Sequence, residues 1–191
     1  MDFHKINVKF FAEKGSDISL HAFIQVYHRW IQEDKLEGFM VDVTEYTHVY
    51  QGPGVLIIAQ EANYSVDEAE GKRGFMYAQK RVPEKSAVDH IKTAFRRALK
   101  AASDLENEKE FTGKLKFSTG HFEVSINDRL AAPAGSATQA EIEKVLKPVL
   151  DNLYGAGAYA LTAEKDAKKL AGFTVKANAN PVSADLLAKL K

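Results

Sequence analysis

The spacing of apolar residues changes several times along the chain, and each change predicts an element. Ile6, Val8 and Phe10 alternate with Lys5, Asn7 and Lys9, the period-2 pattern of a half-buried strand. From Ser19 onward Leu20, Phe23, Ile24, Tyr27, Trp30 and Ile31 follow helical spacing, which predicts a helix ending near Gly38. Strands are expected at 39–43 and 55–61, a turn region at 67–74 and a strand at 75–80. Ser86 and Asp89 then open the longest helix, whose buried stripe is Val88, Ile91, Phe95, Ala98, Leu99, Ala102 and Leu105.

In the second half, Leu115 and Phe117, a turn at Gly120, and Phe122, Val124 and Ile126 read as a hairpin. Thr138 and Glu141 form a capping box ahead of Ile142, Val145, Leu146, Val149, Leu150 and Leu153, with Gly155 at the far end. Strands are expected at 158–162 and 173–177, with a short helical tail at 183–191.

Strand, Gly-Ser loop, helix, glycine, strand, loop, strand occurs over 6–61 and again over 122–177. Two explanations fit: an old duplication of a β-α-β-β unit about a pseudo-twofold, or a common local order met twice. The expected class is α+β, a mainly antiparallel sheet with three main helices. Residues 1–112 would form a first unit with a long closing helix and 113–191 a second, within one compact domain.

Gly52, Pro53 and Gly54 stand before Val55, Leu56, Ile57 and Ile58. A phosphate-cradling loop must lead into a helix, and here a β-branched run follows instead. Pro53 and Gly54 suit the central positions of a type II turn, so the segment is expected to start a strand.

Composition narrows the function classes. Of 191 residues 45% are hydrophobic and 27% charged, as in an ordinary globular protein. Lys+Arg and Asp+Glu both number 26, so no net field favours nucleic acid or an anionic membrane. The first residues lack the apolar run of a signal peptide, and the expected location is cytoplasmic. With no cysteine there are no disulfides, thiolate metal sites or thiol nucleophiles.

Candidate chemistry is sparse. His21 and His28 lie seven apart on one helix, about 10.5 Å along its axis, too far to share an ion. Tyr46, His48 and Tyr50 alternate with Glu45, Thr47 and Val49 and would set polar-tipped rings along one strand face. Asn127, Asp128 and Arg129 form a polar cluster that reads as an Asx turn with an ion pair. Lys92, Arg96, Arg97 and Lys100 make a basic stripe on the long helix, read as a solvated face.

The segments HRWIQ, YTHV…GPGV and INDRL together resemble an uncharacterised group of soluble bacterial proteins with no assigned activity, so the resemblance implies no site residues. The order of elements is similar to that of the duplicated effector-binding domain of multidrug-responsive regulators, which holds small molecules between its copies.

The expected function is non-enzymatic binding of a small ligand or protein partner in a cleft between the two units. Trp30, Asp42, Tyr46, His48 and Arg129 are the expected ligand-binding residues. An enzyme using His28, His48 and Asp42 for acid–base chemistry is the first alternative, since histidine titrates near neutral pH, and a structural or oligomeric protein is the second. No metal or cofactor is expected, and a homodimer is kept open.

Overall fold

Alternation puts Ile6, Val8 and Phe10 on one face of β1 (Ile6–Ala12) and Asn7, Lys9 and Phe11 on the other. In the computed structural model, which describes residues 3–84 and 86–190, β1 lies at the middle of one eight-stranded antiparallel sheet. The elements that follow are α1 (Leu20–Gln32), β2 (Met40–Glu45), β3 (Val55–Ala59), β4 (Ala62–Asp67), β5 (Gly74–Gln79), α2 (Ala87–Glu106), β6 (Phe117–Ile126), α3 (Ser136–Tyr154), β7 (Tyr159–Ala163), β8 (Gly172–Ala177) and α4 (Ser183–Ala188). The chain is thus α+β with three main helices. Among the described residues no helix is long and apolar enough to cross a membrane.

The strand order is β2-β3-β4-β5-β1-β6-β8-β7. Helix α1 packs on β2 and β3, α2 on β1 and β5, and α3 on β7 and β8, while α4 leans on α2. Phe10 meets Phe95 of α2 and Phe122 of β6, and Phe122 stacks on Tyr154 of α3, so the core runs unbroken across the β1–β6 seam. The Ser86 hydroxyl accepts the Asp89 N–H at 3.2 Å and caps α2 as expected. The basic stripe of α2 is largely taken up by acids: Arg96 and Arg97 pair with Glu37, Arg97 with Glu61, and Lys100 with Asp104.

Several expectations are corrected. Helix α1 stops at Gln32, because Asp34 takes a positive φ of 49° and Leu36 turns into the core. The expected hairpin around Gly120 is a single strand, β6. Its glycine serves close approach instead: a methyl there would lie 2.4 Å from the Ala179 carbonyl oxygen, and the Gly120 N–H donates to Asn180. Thr138 does not cap α3, which starts at Ser136 with Gly135 at its N-cap and buries Thr138 in its first turn. The last residue of the expected helical tail, at position 191, lies outside the described residues.

Strand β4 is an addition to the expected elements, and it changes the relation between the halves. On one side of the seam the order is β1-β5-β4, and on the other β6-β8-β7. Helix α2 follows β5 as α4 follows β8. Hairpin β4–β5 therefore corresponds to β7–β8, and β2–β3 is an extra hairpin extending one edge. The alignment expected from sequence, which set 6–61 against 122–177, is replaced by one that sets Gly74-Phe75 against Gly172-Phe173. On this alignment the pseudo-twofold passes between Lys9 and Glu123, which are register partners.

Candidate functional site

The face opposite the Val8–Phe10 surface is covered at its centre by loops. Pairing sets Ser65, Met76, Lys9, Glu123 and Thr174 side by side across five strands, with Asn7 and Ser125 in a row beside them. The β4–β5 loop, with a 3-10 turn at Ala69–Gly71, and the β7–β8 loop approach from opposite ends, and Lys169 bonds Glu70 at 2.7 Å. These are the corresponding loops of the two halves, so their contact forms a latch over the seam.

Beneath the latch is a hollow of about 350 Å³, lined by Asn7, Lys9, Glu123, Ser125 and Thr174 among others. A wider hollow of about 1000 Å³ continues past Lys72 and Glu123 toward Phe11 and His121. Both volumes fall in the range of about 300–1,000 Å³ usual for small-molecule sites.

The floor holds a buried ion pair. Lys9 stands opposite Glu123 but donates instead to Asp67, with side chains only 7% and 5% exposed. It reaches there diagonally across Gly74, where a methyl would lie 2.6 Å from the Phe10 carbonyl oxygen and 3.0 Å from the Lys9 side chain. Asp67 also accepts the Ala69 N–H at 3.1 Å, which ties the pair to the loop above. The Lys72 ammonium lies 3.6 Å from the Glu123 carboxylate, on the wall shared by the two hollows.

Two further features border the site. Asn7 is 8% exposed, and its side-chain oxygen is buried without a hydrogen-bond partner. The Phe11 and His121 rings lie 4.7 Å apart, and burial, aided by the positive charges of Lys176 and Lys72, pushes the His121 imidazole below its ordinary 6.5. Lys169 holds the Glu70 carboxyl below its usual value, and Glu70 holds the Lys169 ammonium above its own.

The residues singled out from sequence are dispersed. Trp30 is fully buried in the core, its indole N–H donating to Glu108 at 2.6 Å. Asp42 lies exposed on edge strand β2, accepting the Val43 N–H at 2.8 Å. Tyr46 and His48 sit beyond the end of β2, in the loop closed by the Tyr46 N–H bond to the Gly54 carbonyl, with ring centroids 6.2 Å apart. The expected ring-lined strand at 46–50 is therefore a loop.

Arg129 alone of the five lines the latch hollow, where it donates to the Lys168 carbonyl. Its neighbour Asp128 makes the expected Asx turn, accepting from Leu130 and Ala131, and pairs with Lys5. His28 is exposed on α1. Among the described residues no three His, Asp or Glu side chains are grouped to hold a metal ion.

Compared with known protein families, curated proteins and solved structures, the chain matches none of them.

Proposed function

We propose that the protein binds a small polar ligand, without transforming it, in the latch hollow at the seam between its two halves. The observation that carries this reading is Asn7, which lines the floor of the hollow with its side-chain oxygen buried beneath it and without a donor, a deficit the amide relieves by turning toward a ligand. A buried polar atom without a partner costs about 1–3 kcal/mol, and a ligand bearing a donor removes that deficit. The Lys9–Asp67 pair supports the same reading. An apolar pair of similar volume is commonly as stable or more so, which makes a buried ion pair at a hollow's floor a feature better explained by recognition than by stability.

Native mass spectrometry of the freshly purified chain tests it. The wild type is expected to carry a small-molecule adduct, and the Lys9→Met/Asp67→Leu double variant, whose floor has lost its ion pair, to lose it. Equal retention by the folded double variant would place the ligand elsewhere. A bare wild type whose melting temperature also fails to respond to a small-molecule filtrate of cell extract would contradict the proposal.

A further inference from the structure

We infer that the latch hollow selects an uncharged, hydroxyl-rich molecule such as a monosaccharide or cyclitol; the inference rests on the proposed site and names its ligand class. Four cations line the hollow, Lys9, Lys72, Arg129 and Lys169, and four carboxylates, Asp67, Glu70, Glu123 and Glu164. The lysines are already matched. Lys9 pairs with Asp67, Lys72 lies 3.5 Å from Glu70 and 3.6 Å from Glu123, and Lys169 bonds Glu70 at 2.7 Å and Glu164 at 3.4 Å. Arg129 is held by the Lys168 carbonyl.

Arg129 is exposed at the rim, so an anionic ligand seated on the floor must pull a lysine from its carboxylate, and a cationic one must pull a carboxylate from its lysine. Either exchange leaves an unmatched charge in a partly desolvated site, so a charged ligand gains little for what it displaces. A neutral ligand leaves the pairs intact.

The uncharged groups specify hydroxyls. Asn7 offers an amide that can both donate and accept, and its buried oxygen still wants a donor, which the side chain gains by turning toward a ligand O–H. Ser125 and Thr174 add two hydroxyls from adjacent strands, on the same wall as Glu123. A molecule carrying several O–H groups, each both donor and acceptor, satisfies amide, hydroxyls and carboxylate edges together. The volume of about 350 Å³ suits one ring-sized ligand rather than a chain of them.

Isothermal titration of the full chain tests the inference. The probes are glucose, galactose, mannose and myo-inositol, set against glucosamine, gluconate and glucose 6-phosphate. At least one neutral probe is expected to bind, with its charged counterparts at least tenfold weaker. Ser125→Ala and Thr174→Val, at partly exposed positions outside the core, should each weaken that probe about fivefold, the value of one neutral hydrogen bond.

Hydrogen exchange locates the bound probe, with protection expected at 7–9, 121–125 and 172–174. A charged counterpart that binds as tightly or more tightly, or failure of every neutral probe at millimolar concentration, overturns the ligand class. If the charged probe still protects those segments, the site stands without that class. A neutral probe that protects other segments overturns both.

Discussion

Lys9 and Glu123 stand directly opposite each other where the two halves of the sheet meet, yet Lys9 turns from its cross-strand partner to Asp67. Opposite charges at paired positions ordinarily satisfy each other. Here the glycine at 74 opens a diagonal path, and Glu123 is left toward the hollow beside Lys72.

The buried pair gives the first prediction. Asp67→Asn leaves the Lys9 ammonium buried without its countercharge and should destabilise the chain by about 3–5 kcal/mol in urea denaturation. Lys9→Met/Asp67→Leu should restore wild-type stability or exceed it. A double variant as unstable as the single one would show that the pair is itself a main support of the fold.

Gly74→Ala should cost about 1–3 kcal/mol, because the added methyl meets backbone rather than a movable side-chain tip. Gly172→Ala is expected to do the same, since its methyl would lie 2.2 Å from the Val124 carbonyl oxygen. Unchanged denaturation midpoints for both variants would contradict the close backbone approach at the two glycines.

Trp30 is the only tryptophan, so its fluorescence reports one environment. Removing the indole's acceptor by Glu108→Ala should destabilise by about 1–3 kcal/mol. Emission should stay blue-shifted and resist iodide quenching while the chain is folded. A red-shifted, readily quenched Trp30 in the native wild type would contradict its burial.

The latch has a defined pH response. Lys169 holds the Glu70 carboxyl below its ordinary 4.5, so the contact contributes fully above pH 4.5 and is lost as pH falls through the lowered value. Acidification should therefore release 68–73 and 164–171 together, seen as concerted shifts of their amide resonances, and Glu70→Gln should produce the same shifts at pH 7. Both loops should also respond to salt, because the two side chains are partly exposed. Independent titration of the two loops would contradict the latch.

Much of the scaffold was legible because burial enforces periodicity. Strand β1 alternates apolar and polar positions and helix α2 buries one regular stripe, and in both the apolar positions mark the side that meets the core, although β1 is buried on its polar side as well. Strand β4 is absent from the sequence expectation although Ala62, Tyr64 and Val66 alternate with Asn63, Ser65 and Asp67, since Gln60 and Glu61 between β3 and β4 include no glycine or asparagine to mark a two-residue hairpin. That omission hid the better internal match, the Gly-Phe pair at 74–75 and again at 172–173.

The candidate site was less legible for a related reason. It is assembled from residues on the loop-covered face of β1, β6 and β8, and what distinguishes Lys9 and Asn7 from ordinary solvent-facing residues is their burial. Sequence marks them only as the polar positions of an alternating strand. Tyr46 and His48 drew notice by residue type, but their segment continues past the end of β2 and into a loop, where the strand period no longer applies.

The most direct test of the binding site is hydrogen exchange of the full chain, followed by mass spectrometry, with and without a small-molecule filtrate of cell extract. The account predicts slower exchange at 7–9, 121–125 and 172–174 and no change in the 46–52 loop. Protection confined to that loop, or none anywhere, would contradict it.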